Sequence, residues 1–274
     1  MEAARIIIVG GGFAGATLAE HLNRRVARDV EVVVISSDNH MVFTPMLAEV
    51  AGRSLSGFDV VMPGRQMAPR ATWLTATVTS VDLKTNEVEY TRPDGKRSTL
   101  SYAHLVLACG SDVNLDVVPG MAAHAYTLRT VGDGMVLGNE VIARFEQAAT
   151  EPDDAERQRL LTVVVVGGRF TGVEAAGHLF DMMRSVKPYY PQLGRNRPQM
   201  VLLQRGARIV PEFQHDSLSE FALRKLRQNA RATRPPYSHR GERLRASGAR
   251  TRNWLGLCPR CGTCSSRSGM RGLC

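Results

Sequence analysis

The chain has 274 residues, 43% of them hydrophobic and 22% charged, a soluble globular balance with room for two ordinary domains. The formal net charge of +9 resides in one stretch: Arg231 to Cys274 holds ten arginines, no lysine and one acid, Glu242. Everything before Arg231 is neutral, which removes the charge argument for a nucleic-acid partner.

Cysteine follows the same division. Cys109 stands apart from Cys258, Cys261, Cys264 and Cys274. One thiol in the body argues for a reducing, cytoplasmic setting and against a disulfide framework. The opening apolar run, Ile6–Val9, ends at three glycines, so no signal peptide is expected. No run nears the roughly 20 apolar residues that span a bilayer, so any membrane contact would be peripheral, on the inner face of the cell membrane.

In chain order, Ile6-Ile7-Ile8-Val9 reads as a buried parallel strand. Gly10 to Gly15 follow, then a helix with Ala14, Leu18 and Leu22 on one face, then a second strand from Val30 to Ile35. From about Thr72 to Ser101 the pattern alternates like antiparallel strands, with Asp94-Gly95 as a hairpin turn. His104–Ala108 returns to a buried strand, and Cys109 beside it reads as a core residue. Val131–Thr150 is predicted helical, and the charged, proline-containing Glu151–Arg159 reads as a linker. Leu161–Val166, a glycine turn, a helix through Met183 and a strand at Met200–Leu203 repeat the opening design. Past about Asn229 no apolar period persists, and disorder is expected.

Two glycine fingerprints carry chemistry. In Gly10-Gly11-Gly12-Phe13-Ala14-Gly15, the first glycine permits the turn, Gly12 leaves room for a pyrophosphate, and Gly15 lets the helix approach the strand. Amides at the helix start then face the phosphates. At the end of the second strand, Ser36 stands where a ribose-binding acid is usual; it either hydrogen-bonds the ribose or is an ordinary turn residue. The second fingerprint, Gly167-Gly168-Arg169-Phe170-Thr171-Gly172, carries Arg169 in the middle position. Its Cβ is expected to weaken dinucleotide binding, although the guanidinium can reach a phosphate. Gln204-Arg205 closes the next strand without an acid; Arg205 is either solvated or a contact for a 2′-phosphate. Cys258, Cys261 and Cys264 lack a nearby fourth ligand and read as chance spacing rather than a metal site.

These fingerprints, together with Phe43-Thr44-Pro45-Met46-Leu47, Glu49-Val50, the strand Leu105–Gly110 and "ARIVPEF", resemble the type II, single-subunit NADH dehydrogenases from about Arg5 to Asn229. The resemblance implies an α/β fold of two Rossmann-like dinucleotide-binding domains. Hydride passes from NADH, with NADPH an alternative, to FAD, and then to a quinone or another electron acceptor. It implies FAD contacts at Gly10, Gly12, Phe13, Ala14, Gly15, Ser36, Thr44, Pro45, Val78 and Gly110. For the nicotinamide dinucleotide it implies Gly167, Gly168, Phe170, Thr171, Gly172, Gln204 and Glu174, the last near the nicotinamide. The expected division is an FAD domain over 1–122, a connecting helix and linker over 123–160, a partial NAD(P) domain over 161–230 and a tail over 231–274. A third FAD motif (Gly-Asp) and the C-terminal quinone and anchor region are missing. The chain therefore reads as C-terminally incomplete, with residues after about 229 either out of frame or part of a truncated copy, and a non-catalytic fragment is the alternative to an enzyme.

Overall fold

The structure, a computed structural model, describes residues 4–229 and 232–233. In chain order, β1 (Arg5–Val9), α1 (Phe13–Arg25), β2 (Glu31–Ser36), β3 (His40–Val42), a 3-10 turn at Thr44–Met46 and α2 (Leu47–Ala51) come first. Next are β4 (Val61–Pro63), α3 (Gly64–Met67), β5 (Thr72–Thr75), β6 (Thr77–Asp82), β7 (Glu87–Thr91), β8 (Arg97–Ser101) and β9 (His104–Leu107). The remainder holds α4 (Met121–His124), α5 (Val131–Thr150), α6 (Asp154–Leu160), β10 (Thr162–Val166), α7 (Phe170–Val186), β11 (Gln199–Leu203), α8 (Asp216–Asn229) and β12 (Ala232–Thr233).

These elements form two compact units. The first takes the described residues up to Thr44 together with Phe58–Val113; the second takes Pro45–Gly57 and the described residues from Asn114 on. The 45–57 segment and the stretch before Leu161 thus pack within the second unit, which differs from the division expected from the sequence. Except for 232–233, the tail and its cysteines lie outside the described residues.

The first unit is built on a parallel sheet of order β5-β2-β1-β9, with Ile7 opposite both Val33 and Leu105. Successive residues of β1 and β2 serve opposite faces. Ile8, Val32 and Val34 pack with Ala16 and Ala19 of α1, while Ile7, Val9, Val33 and Ile35 pack with Val88 and Tyr90. A sheet covered on both faces needs unbroken apolar strands, which is why β1 and β2 show no alternation. Each such side chain contributes about 1.5–3 kcal/mol on burial. The antiparallel meander is β6-β7-β8, turning at Gly95 with φ +80°. It starts at Thr77 rather than Thr72: β5 pairs parallel with β2, Val34 facing Trp73. Alternation marks an edge strand of either sense, so it did not distinguish these pairings.

The second unit has the parallel order β10-β11-β12, with Val163 opposite Met200. Phe145 of α5, Leu179 and Met183 of α7, Leu161, Leu193 and Met200 form its buried core. The Glu151–Arg159 stretch is not a linker. Asp153 accepts the Ala155 N–H at 3.0 Å and caps α6, which Arg157–Asp154 and Arg159–Glu156 pairs then brace. The charges that suggest a linker are those that cap and cross-link this helix.

Helix α5 opens with a reciprocal capping box: the Asp133 N–H donates to Thr130 Oγ1 at 3.0 Å and the Thr130 N–H to Asp133 Oδ2 at 3.1 Å. Partial burial disfavours the Asp133 carboxylate, but hydrogen bonds from Arg129, Thr130 and Thr127 outweigh it and hold the carboxyl below its ordinary value. A lowered folded-state pKa adds stability above the unfolded value, about pH 4, and loses it as pH falls through the folded value. Asp133→Asn should therefore cost about 1 kcal/mol at neutral pH, a difference that shrinks as pH falls below about 4, read as the urea midpoint at each pH.

Candidate functional site

In the first unit, β1, β2, β5 and β9 all end on one side of the sheet. Between β1 and β9 the strand order reverses, and ligands of open α/β sheets bind in the crevice there. Gly10 leaves β1 with φ +104°, and a Cβ on it would collide with the Ala108 carbonyl. Gly15 is held equally tightly, since its Cβ would collide with the Gly10 carbonyl. At Gly11 a Cβ would stand 2.9 Å from Ser36 Oγ, so the turn is seated against the end of β2. Gly12 differs: a Cβ there would meet nothing within 4 Å. Protein packing forces the other three glycines; at Gly12 it would leave room for a side chain.

The first amide bonded within α1 is that of Ala16, to the Gly12 carbonyl at 2.8 Å. The amides of Phe13, Ala14 and Gly15 precede that bond, at the positive end of the helix. Phe13 packs edge-on to Phe43 with ring centroids 5.6 Å apart, which seats the chain entering Thr44 beside the cradle. Gly110, φ +68°, lies in the turn after β9. Cys109 is exposed rather than part of a core, because it falls beyond the end of the edge strand β9. The structure thus brings Gly10–Gly15, Ser36, Thr44 and the Ala108–Gly110 turn to one end of the sheet. Val78 sits on β6 opposite Tyr90, half-buried. Pro45 is exposed in the 3-10 turn that opens the second unit.

The second unit repeats the design. Gly167 has φ +113°, and a Cβ on Gly172 would collide with its carbonyl. The Gly10 and Gly167 amides donate equivalently, at 2.8 Å, to Ile35 and Leu203. Phe170 packs edge-on to Phe213 at 5.1 Å as Phe13 does to Phe43. Val173 makes the first bond of α7, so the amides of Phe170, Thr171 and Gly172 precede it.

Two positions differ. Where Gly12 leaves space, Arg169 takes nearly the same backbone geometry (φ −82°, ψ −179°, against −75° and −164°) and adds a side chain. That side chain is 77% exposed and reaches Glu212 at 3.3 Å. Where the first unit has Ser36, the second has Gln204, whose Oε1 accepts the Gly168 N–H at 3.0 Å. Glu174 lies exposed on α7. The sequence reading gave no role to Glu212, Phe213 or Val210. Val210 holds φ +45°, unfavourable for a β-branched residue, and donates its N–H to the Gly168 carbonyl at 2.6 Å. The motif "ARIVPEF" was visible, but single-sequence patterns do not show which turn a loop folds back upon.

A family model described as pyridine nucleotide-disulphide oxidoreductase matches residues 4–231. The chain belongs to the pyridine nucleotide-disulphide oxidoreductase family. Among curated members, it is 31% identical to the mitochondrial external alternative NAD(P)H-ubiquinone oxidoreductase B3 of Arabidopsis thaliana, over 81% of this chain and 40% of that protein. It is 30% identical to the type II NADH:quinone oxidoreductase NdhA of Mycobacterium tuberculosis, over 76% of this chain and 44% of that protein. The fold matches that of NDH2 from Plasmodium falciparum, solved in complex with NADH, with a TM-score of 0.75 and 24% identity. That match covers 83% of this chain and 47% of the other. The chain thus spans less than half the length of these family members.

The contrast among the glycines gives a stability test. Gly15→Ala should cost about 1–3 kcal/mol through the forced clash, whereas Gly12→Ala should cost under about 1 kcal/mol, both measured by urea denaturation.

Proposed function

We propose that this chain supplies the two nucleotide cradles of an FAD-dependent NAD(P)H oxidoreductase, passing hydride from the nicotinamide to FAD and electrons onward to a quinone. The observation that carries this reading is the space at Gly12, where the fold itself would admit a side chain and the sequence withholds one. A diphosphate laid on the bare turn accounts for that glycine.

In this reading Gly10, Gly12 and Gly15 keep the turn bare, and the amides of Phe13, Ala14 and Gly15 hold the FAD diphosphate. The Ser36 hydroxyl serves the ribose, Val78 the adenine, Thr44 and Pro45 the isoalloxazine, and Gly110 the second contact turn. Gly167, Gly168, Phe170, Thr171 and Gly172 form the corresponding cradle for the nicotinamide dinucleotide. Gln204 stands at its adenosine side and Glu174 serves the nicotinamide end. FAD, when bound, supplies a two-electron acceptor, so the protein's part is orientation and electrostatics rather than acid–base chemistry. Arg169 places a Cβ at the centre of the second cradle and weakens the hold on the diphosphate. Attachment to the membrane would be peripheral; no helix among the described residues is long and apolar enough to cross one.

The test is spectroscopic. The full chain, incubated with FAD and desalted, should retain the visible flavin band, and anaerobic NADH or NADPH should bleach it. Gly12→Glu should remove the band while leaving the far-UV circular dichroism unchanged. Arg169→Gly should tighten nicotinamide dinucleotide binding by about threefold or more, on the order of the 0.5–1.5 kcal/mol of one neutral hydrogen bond. Folded protein that retains no flavin would support a non-catalytic nucleotide-binding fragment instead.

A further inference from the structure

The end of β11 carries a second departure whose geometry bears on which nicotinamide dinucleotide this chain takes. Gln204 directly follows Leu203, the residue whose carbonyl receives the Gly167 amide. At this strand end a carboxylate accepts a hydrogen bond from the adenosine 2′-hydroxyl and, by its charge, turns away a 2′-phosphate. Gln204 has no charge to do either. Its amide is also engaged at both ends: Oε1 accepts the Gly168 N–H at 3.0 Å, and Nε2 donates to the Arg208 carbonyl at 3.3 Å. A Cβ on Gly168 would lie 3.0 Å from the Gln204 Cβ, so the side chain is seated on the glycine turn rather than extended away from it.

The charges along the following loop favour an anion. The loop's one acid, Glu212, is neutralised by Arg169 at 3.3 Å, and Asp216 at the start of α8 by Arg208. Arg208 is held further by the carbonyls of Pro211 and Phe213, at 3.0 and 2.9 Å. Arg205, adjacent to Gln204, is exposed and has no carboxylate within ion-pair distance among the described residues. The strand end that usually carries a negative charge here carries a committed neutral amide and an unneutralised guanidinium. Such a guanidinium matches a phosphate with charge-assisted, bidentate hydrogen bonds.

Resting on the reading of the second cradle as a nicotinamide dinucleotide site, we infer that this chain selects the 2′-phosphorylated form, NADPH, over NADH. Arg205 is the phosphate anchor, and Gln204 is the residue whose neutrality admits the phosphate. Arg169 increases the dependence on this anchor, because the diphosphate common to both nucleotides is held less closely there.

Isothermal titration of the full chain with NADPH and with NADH, in low salt and without substrate turnover, tests the inference. NADPH should bind at least about tenfold more tightly, the equivalent of one charge-assisted hydrogen bond. Arg205→Leu should weaken NADPH far more than NADH and bring the two within about threefold, and Gln204→Glu should reverse their order. Circular dichroism of both variants establishes that they fold. Equal or tighter binding of NADH by the unaltered chain, or an unchanged ratio in folded Arg205→Leu, overturns the preference while leaving the cradle reading intact. Binding of neither nucleotide, nor of ADP-ribose, overturns the cradle reading and this inference with it.

Discussion

Both units depend on a helix approaching the end of a strand so closely that no Cβ fits between them. Gly15 lies against the Gly10 carbonyl and Gly172 against that of Gly167. Each contact sets the start of a helix over the mouth of a parallel sheet, with three amides ahead of the first intrahelical bond. Water can satisfy those amides, but the aligned helix dipole makes the same place favourable for an anion. The apolar strands and the cores on their two faces fix this geometry: if β1 slipped by one residue, Ile7 and Ile8 would exchange faces and the turn would lose its seat.

With that scaffold shared, the two cradles differ at two positions, the middle of the glycine turn and the end of the second strand. The fold constrains Gly10, Gly11 and Gly15 and their counterparts Gly167, Gly168 and Gly172, and these are the same in both units. Gly12 meets no such demand, and its counterpart is Arg169; Ser36, against which Gly11 is seated, is replaced by Gln204, which bonds the Gly168 N–H. Arg169 shows that the backbone at this position tolerates a side chain, since its φ and ψ are ordinary extended values. Glycine at position 12 is therefore not required by the protein's own packing, and the proposed diphosphate contact accounts for it.

Much of this was legible because its causes are local. Three glycines after a β-branched run, a helix face repeating every four residues and the Asp94-Gly95 turn each specify their structure within a few positions. Helix α5 has the bounds Val131–Thr150 that its apolar face predicts, and the structure adds a capping box at its start. The failures involve the rest of the molecule. Glu151–Arg159 reads as a linker from its charge and proline, yet Asp153 caps a helix there. Cys109 looked buried because apolar neighbours preceded it, yet β9 is an edge strand. Val210 and Glu212 fold back onto Gly168 and Arg169 from about forty residues downstream, a closure no sequence period encodes.

Amide hydrogen exchange on the full chain, with and without FAD, tests the central claim most directly. Slowed exchange at Phe13, Ala14 and Gly15 on adding FAD, without comparable slowing at Phe170–Gly172, is the predicted result. Flavin bound with exchange at Phe13–Gly15 unchanged would contradict it, because the diphosphate would then lie somewhere other than on the bare turn after β1.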